Sequence, residues 1–415
     1  MHEDATMALK TKLLAGFMLA IGIQAAQAED RLTPLLRFVP ASALAEGGPS
    51  NAIQYSDFAA IRHAVGQRLS LGDAFTWSRE DRELAAAMRI VVAPHMLANY
   101  FSRMLAAERP MSDYLGFGMI DIGQTLGFAQ PPMVPMVLTG NDAVTNAAAV
   151  GAALGNHGFA AENRNGHTIW WYLDDNALDL RNRDVSNPLR GDLGGSARAG
   201  VVDGAFVAAS HWGTIDVMLM AVDGRIGTAQ QSPDMRALAV ALDTPVQADG
   251  ALLQAYLFTG TLFTRDIVDA LGPAADEETR ARLLAQLMGS GDGPATPRYE
   301  AVALADRQEG ANPVGVVALS YRNRADAERA TQTVAEAFAT ATSMAYQRPF
   351  AEIMPYAVVT DVVDVPDAGR AVARIAFVMV PETTLEGPSD NMRTPFYGLI
   401  QMLYRGDLAP LATAG

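Results

Sequence analysis

The stretch that decides the fold covers residues 133–223, and it opens with MVPMVLTGNDAVTNAAAVGAALGNHGFAAENRNGHTIWWYL at residues 133–173. The apolar run at 134–139 predicts a strand, and the alanine-rich run at 142–154 predicts a helix. Asn165-Gly166, between two short strand-like runs, is a strong hairpin signal because both residue types accept the positive φ of a tight turn. Strand, helix and hairpin in this order are typical of an α+β unit.

The rest of this stretch predicts a second hairpin after a long polar loop. The loop covers residues 174–196 and carries five aspartates. Such a run is most often a solvated loop, and its spacing is not that of an EF-hand calcium loop. Asp203-Gly204 then marks a tight turn between strands predicted at 197–202 and 205–210. A helix is predicted directly after this second hairpin.

A similar order of elements recurs further along the chain. Residues 313–380 predict a strand, a long alanine-rich helix and a hairpin. We therefore expect an α+β fold with two similar α/β-sandwich domains, of ferredoxin-like type, whose mixed or antiparallel sheets are flanked by helices. The domains would cover residues 29–224 and 225–415. The alternative is that an α+β chain repeats these elements by chance, since the two stretches share little residue identity.

The first residues predict a signal peptide at residues 1–28. Lys10 and Lys12 supply a positive region, and the apolar run at 13–23 is too short to span a bilayer. Ala26-Gln27-Ala28 is a cleavage site of the small-x-small type. We expect cleavage after Ala28 and a periplasmic or secreted product. The alternatives are an uncleaved anchor and a chance apolar start.

The composition excludes several classes of function. A net charge of −15 makes the chain a poor partner for nucleic acid and for anionic lipid headgroups. The chain has no cysteine, which excludes disulfides, thiol nucleophiles and thiolate metal sites. No lysine follows Lys12, which excludes a pyridoxal Schiff base and a Walker-type phosphate loop. We expect no cofactor and no transmembrane segment after the signal peptide.

The aromatic run at 170–172 is the best candidate for a ligand surface. In a strand, Trp170 and Tyr172 share one face and Trp171 takes the other. One face would belong to the core, and the opposite aromatic could line a binding surface beside the start of the polar loop. The alternative is a strand buried on both faces. The candidate ligand-binding residues are His167, Trp170, Trp171, Asp174 and Asp175.

No motif in the sequence predicts a catalytic or metal site. The histidines lack the His-x3-His and His-Glu-x-x-His spacings of local metal sites. Ser210 and His211 are adjacent in a predicted strand, so their side chains point to opposite faces and cannot act as a pair. Ser196 lies in the closest match to a nucleophile elbow, but that match is in a loop before a strand rather than between a strand and a helix.

These observations favour an exported, soluble, non-catalytic module that binds a ligand or a protein partner in the cell envelope. The partner would be an unknown envelope protein or a small ligand held near the loops at 174–196 and 381–391. One alternative is a hydrolase whose site is assembled from distant residues. Another is a structural or assembly protein with a large exposed apolar patch.

Three predictions concern the chain before residue 133. Residues 35–39 predict a short strand. Ser56 is expected to be the N-cap of a helix that begins at Asp57. Residues 122–128 predict a last turn of helix before the prolines at 131 and 132.

Overall fold

The structure is a computed structural model that carries side chains. It describes residues 31–44, 52–70, 92, 110–128, 135–184, 186–190, 193–246, 250–260, 276–278, 296–343, 345–379, 394–405, 407 and 409–411. The predicted signal peptide and the predicted loop at 381–391 lie outside these residues.

A single sheet of twelve strands forms the middle of the described fold. Its strands, in chain order, are β1 Ile53–Asp57, β2 Ile122–Phe128, β3 Met136–Gly140, β4 Ala160–Arg164, β5 His167–Tyr172, β6 Ala197–Val202, β7 Ala205–Ala209, β8 Gly250–Thr259, β9 Ala301–Glu309, β10 Asn312–Tyr321, β11 Ala357–Val365 and β12 Arg370–Val378. Across the sheet the order is β11-β12-β10-β9-β8-β1-β2-β3-β7-β6-β5-β4. All eleven pairings are antiparallel.

Helices cover both faces of this sheet. They are α1 Phe58–Ser70, α2 Met111–Leu115, α3 Asp142–Thr145, α4 Ala147–Asn156, α5 Trp212–Val222, α6 Pro233–Asp243, α7 Arg324–Thr340, α8 Phe350–Ile353 and α9 Pro395–Tyr404. One face packs against α5, α6 and a short 3-10 helix, Thr33–Phe38. The other packs against α1 to α4 over one half of the sheet and against α7 to α9 over the other half. None of the described helices is long and apolar enough to cross a bilayer.

The predicted α+β class, with an antiparallel sheet flanked by helices, is confirmed. The predicted boundary between residues 224 and 225 falls between β7 and β8. Strands from both sides of it join one sheet through the antiparallel β1–β8 pair, in which Ile53 lies opposite Leu257. A single sheet does not decide whether each side is a ferredoxin-like domain, so that finer description stays a prediction.

The structure corrects the three predictions made for the chain before residue 133. Residues 122–128 form β2 rather than a turn of helix, because β1 and β3 supply partners for both of its edges. Residues 35–39 lie in and just after the 3-10 helix, whose Leu36 and Phe38 are buried. Ser56 belongs to β1, and the carboxylate of Asp57 instead accepts a hydrogen bond from the Ala60 N–H at the start of α1.

The alanine-rich helix that precedes the first hairpin is interrupted. The Asn141 side chain accepts a hydrogen bond from the Ala143 N–H, which caps α3. Asn146 does the same for the Ala149 N–H and starts α4. A second asparagine therefore ends one helix and begins another, because its short amide competes for backbone donors.

Two buried arginines from neighbouring parts of the sheet hold the C-terminal end of α6. Arg374 donates to the carbonyl oxygens of Ala241, at 2.9 Å, and Thr244, at 2.6 Å. Arg307 donates to the Leu242 carbonyl oxygen. These carbonyls are the groups that a helix end leaves without partners, and cations there also interact favourably with the helix dipole. The arginines thus fix α6 on the sheet.

We expect Arg374→Met to lower the free energy of unfolding by about 3 kcal/mol, because it removes a buried charged donor from several carbonyl oxygens. Urea unfolding followed by circular dichroism measures this change. Arg324→Met is the matched control. Arg324 pairs with Glu328 on the surface, where such pairs contribute about 1 kcal/mol or less. Equal losses in the two variants would contradict the anchoring role of Arg374.

Candidate functional site

Strand β5 carries the aromatic run and lies second from one edge of the sheet, between β4 and β6. Its side chains alternate between the two helical layers. Trp170 and Tyr172 pack with the core beneath α4. Ile169 belongs to the opposite core, and Trp171 lies on that side near Trp212 of α5. The two neighbouring tryptophans therefore pack into different helical layers, on opposite faces of the sheet.

A cleft of about 490 Å³ lies between α4 and strands β5 and β6. Trp170 forms one wall of the cleft. Its indole fits against α4 because that helix has glycine where it crosses the ring. A Cβ on Gly151 would lie 2.9 Å from the ring, and one on Gly155 would lie 3.2 Å away. The cleft is lined by Ala147, Ala148, Val150, Gly151, Ala152, Gly166, His167, Thr168, Trp170, Gly200 and Val201. Of the predicted ligand residues, His167 and Trp170 are brought together here.

Trp212 is the centre of a second cluster, on the opposite face of β5. The guanidinium carbon of Arg164 lies 4.3 Å from the centroid of its ring, and that of Arg198 lies 5.2 Å away. The Trp171 ring is 6.4 Å from it, centroid to centroid. Trp171 is therefore held in a stack of aromatic rings and guanidinium groups and does not line the cleft.

Asp175 holds the start of α5. Its carboxylate accepts a hydrogen bond from the Trp212 N–H at 3.1 Å and pairs with Arg198 at 2.6 Å. His211, the residue at the N-cap position, makes no side-chain cap of its own. Burial lowers the pKa of Arg198, while Asp175 acts in the opposite direction. Both Asp174 and Asp175 are exposed, but Asp175 caps a helix and pairs with a buried cation, whereas Asp174 acts on Arg198 only through its charge.

The His167 ring ties β5 to the far end of α5. Its Nε2 lies 3.0 Å from Oδ1 of Asp223, the residue that ends that helix. Arg225 pairs with the other oxygen of the same carboxylate at 3.3 Å. His167 therefore borders the cleft, but its ring contacts Asp223 on the other side of the strand.

The loop between β5 and β6 has a defined conformation set by Asp179. This carboxylate accepts hydrogen bonds from the Asn182 N–H at 3.1 Å and from the Tyr172 hydroxyl at 3.0 Å. These bonds, the one from Asn182 first, hold the pKa of Asp179 below its usual range. Burial and the bond to Asp179 raise the pKa of Tyr172. Arg190 covers the Tyr172 ring at 3.9 Å.

The same loop turns three leucines outward. Leu178, Leu180 and Leu193 are 54 %, 58 % and 53 % exposed. Leu178 pairs with Gly195 in an isolated bridge, and the Asp179 N–H donates to the Gly194 carbonyl at 3.0 Å. We call these three residues the leucine patch. This loop was predicted to be simply solvated. In the structure several of its carboxylates bond to partners within the chain, while these leucines face solvent.

The loop also begins with an unusual backbone conformation. Leu173, directly after β5, has φ +61°, which is rare for a branched side chain and costs energy. Its carbonyl oxygen accepts a hydrogen bond from Arg198 at 2.9 Å. Gly194 has φ +61°, and a Cβ there would lie 2.6 Å from the Asp179 carbonyl oxygen. Packing and hydrogen bonds therefore hold the loop in this shape.

The serine and histidine residues considered from the sequence make structural contacts. His211 Nδ1 lies 3.8 Å from Asp175, and the Ser210 carbonyl oxygen accepts from the Ser196 hydroxyl at 2.9 Å. Within the described ranges, no group of three or more histidine, aspartate or glutamate side chains could hold a metal ion.

Sequence reasoning missed Arg198, Trp212 and the leucine patch. A buried arginine in a strand has no local signal, because its partners come from the loop and the next strand. The leucines did carry a signal, since three apolar residues in a polar loop are more than solvation requires.

We expect Asp175→Ala to lower the free energy of unfolding by about 1–2 kcal/mol, because it removes a helix cap and a partner of buried Arg198. Thermal unfolding and the near-ultraviolet circular dichroism of the tryptophans measure the change. Asp174→Ala, at the exposed neighbouring position, should leave both signals unchanged. If the two variants are equally stable, Asp175 does not have this structural role.

Comparison with known proteins does not establish a family. No protein-family model matches the chain, and no curated protein matches it. Among solved structures, crystal form I of TP0453 aligns with a TM-score of 0.31 and 8% identity, over 83% of this chain and 92% of that chain. Crystal form III aligns with a TM-score of 0.31 and 7% identity, over 81% of this chain and 93% of that chain.

Proposed function

We propose that this chain is an exported, non-catalytic binding protein of the cell envelope that holds a small, mainly apolar ligand in the cleft between α4 and strands β5 and β6. The observation that carries the proposal is the cleft itself. Its volume of about 490 Å³ lies within the range of small-molecule sites. The sequence supports export through its predicted signal peptide.

The walls of the cleft suit an apolar ligand with few polar groups. Alanine methyl groups of α4 face it from one side, and Trp170 offers an aromatic surface. Thr168 adds a hydroxyl, and the glycines at 166 and 200 let backbone groups approach a ligand closely. An aromatic or aliphatic molecule with one hydrogen-bonding group matches this arrangement best.

We expect Ala148→Leu and Thr168→Leu each to weaken binding of the fluorescent probe N-phenyl-1-naphthylamine by about tenfold or more, because the larger side chains occupy the cleft. Both positions are exposed, so the fold should tolerate them. Probe fluorescence, titrated against protein concentration, measures the affinity. Ala339→Leu makes the same change at an exposed position of α7 and should bind the probe like the parent. Unchanged affinity in both cleft variants would contradict the proposed site.

The leucine patch favours a second candidate function, which is docking of an envelope protein. Leu178 and Leu180 lie beside the hydrogen bonds that Asp179 makes within the loop, and this local order would reduce the conformational entropy lost when a partner binds. Arg181 and Arg183 follow Leu180, are exposed, and form no ion pair within the described residues. A partner surface with an apolar groove and carboxylates at its rim would complement this patch.

A photoreactive phenylalanine analogue in place of Leu180 should form one discrete protein adduct in intact cells, because the patch is the proposed contact. The double substitution Leu178→Ser and Leu193→Ser in the same chain should remove that adduct by weakening apolar contact. The analogue at position 339 is the control for surface reactivity. Denaturing gel electrophoresis and mass spectrometry read the result. Adducts with lipid alone, or equal adducts at both positions, would contradict protein docking at the patch.

We also propose that the segments at 29–224 and 225–415 are similar units. Strands β1 to β3 pair in series, and so do β8 to β10. In each segment a helix follows the third strand, and the last strand of the segment returns to pair with that third strand, as β7 does with β3 and β12 with β10. This shared order supports a duplication, although seven strands are described in the first segment and five in the second.

A further inference from the structure

The cleft between α4 and strands β5 and β6 opens where the two strands stop pairing. Their register joins Trp170 to Ala199 and continues from there only towards Tyr172. Thr168 and Val201 would be the next hydrogen-bonded pair, but neither takes part in the described pairing of these strands. Both residues line the cleft. The cleft is therefore bordered by backbone groups of a sheet as well as by side chains.

The two tight turns fix the direction of these backbone groups. In a two-residue hairpin the residues that flank the turn bond to each other, and the direction of bonding alternates along the strand. His167 flanks the first turn and bonds to β4, so Thr168 directs its N–H and C=O towards β6. Val202 flanks the second turn, so Val201 directs its own groups towards β5. The Thr168 carbonyl oxygen instead lies against Gly200, where a Cβ would be 2.7 Å from it. The Val201 N–H therefore faces the gap as a donor without a partner in the described β5–β6 pairing.

The indole of Trp170 places a second donor at the cleft. A Cβ on Gly151 would lie 3.0 Å from its Nε1, whereas Gly155 lies against Cζ3 and Cη2 at the far end of the ring. Gly151 is one of the lining residues and Gly155 is not, so the nitrogen is at the end of the ring that borders the cleft. The Nε1–H forms no hydrogen bond within the part of the chain that the structure describes, and it is not fully buried. It is therefore available to a ligand.

The cleft offers these donors without a charge to balance an anion. No described arginine lines it, and the chain has no lysine after Lys12. Its histidine, His167, turns its ring to Asp223. A carboxylate that leaves water without a cationic partner loses far more free energy than a neutral carbonyl group does. The surroundings therefore favour an uncharged hydrogen-bond acceptor.

On the basis of the function proposed above, we propose that the ligand carries an uncharged carbonyl group, as a ketone, ester or amide does, and that its oxygen accepts a hydrogen bond from Trp170 Nε1. The Val201 N–H is a second donor for the polar end of the ligand. The apolar remainder lies against the alanines of α4 and the Trp170 ring. Trp170 is then a specificity-determining residue, because a ligand of the same shape without an acceptor would leave its N–H desolvated and unpaired.

Competition for bound N-phenyl-1-naphthylamine tests this assignment with two ligands of the same shape. 2-Acetylnaphthalene carries a ketone, and 2-isopropenylnaphthalene has a methylene group in place of the ketone oxygen. Replacing Trp170 by β-(3-benzothienyl)alanine exchanges the N–H for sulfur in a ring of the same shape. This replacement should lower the ratio of ketone to alkene affinity about fivefold or more, because only the ketone loses a hydrogen bond. The same analogue in place of Trp171, on the opposite face of β5, should leave the ratio unchanged.

The outcomes separate the ligand class from the site. An unchanged ratio at position 170, or tighter binding of 2-naphthoate than of the ketone, would overturn the carbonyl assignment while the cleft remained a binding site. Failure of N-phenyl-1-naphthylamine to bind the parent would contradict the site itself, and the carbonyl assignment with it. Binding of the alkene to the variant at position 170 shows that this variant is folded.

Nuclear magnetic resonance detects the hydrogen bond directly. Saturation with the ketone should move the indole N–H resonance of Trp170 downfield, and saturation with the alkene should not. Trp170→Phe identifies this resonance among those of the four tryptophans. The Trp171 indole is the internal control, since it lies on the other face of the strand. A ketone that displaces the probe but moves the Trp170 resonance no further than the alkene does would overturn the role of Trp170 as donor.

Discussion

The fold depends on the antiparallel pairing of β1 with β8, which turns two groups of strands into one sheet. Both strands are buried along most of their length, so the pair lies in the interior of the sheet. A row of hydrogen-bonded polar groups is buried beside this strand pair. Gln254 accepts from the Val92 N–H at 3.0 Å and donates to Asp306 at 2.9 Å, while Ser56 donates to the Val92 carbonyl. The two segments therefore share the core on one face of the sheet, and separating them would expose hydrogen-bonding groups as well as apolar surface.

Arginine supplies the polar attachment of the helical layers to this sheet. Arg374 and Arg307 reach the end of α6, and Arg198 joins the loop after β5 to the start of α5. One planar guanidinium can donate to several carbonyl oxygens at once, which the single ammonium of lysine does with less geometric precision. In a chain with no lysine after Lys12, these buried arginines hold helix ends in place.

The parts of the fold that could be predicted from the sequence are those set by local chemistry. The turns at Asn165-Gly166 and Asp203-Gly204 have the positive φ that their residues predict. Strands β1 and β2 could not be predicted in the same way, because partners far along the chain stabilise them. The candidate site likewise has a part that local sequence predicts and a part that it does not. Strand periodicity separates Trp170 from Trp171, but the capping role of Asp175 arises from a contact with α5, 37 residues away.

The position of β1 in the sheet also constrains the order in which contacts can form as the chain is made. Ile53 lies opposite Leu257, so one side of β1 has no partner until about 200 further residues have emerged. Contacts of such long sequence separation form late and slowly, because closing the intervening loop costs entropy. Until β8 arrives, β1 is an open edge in an otherwise assembled first segment. A chain caught at this stage would be vulnerable to pairing with its neighbours, so this edge most needs protection before β8 has been made.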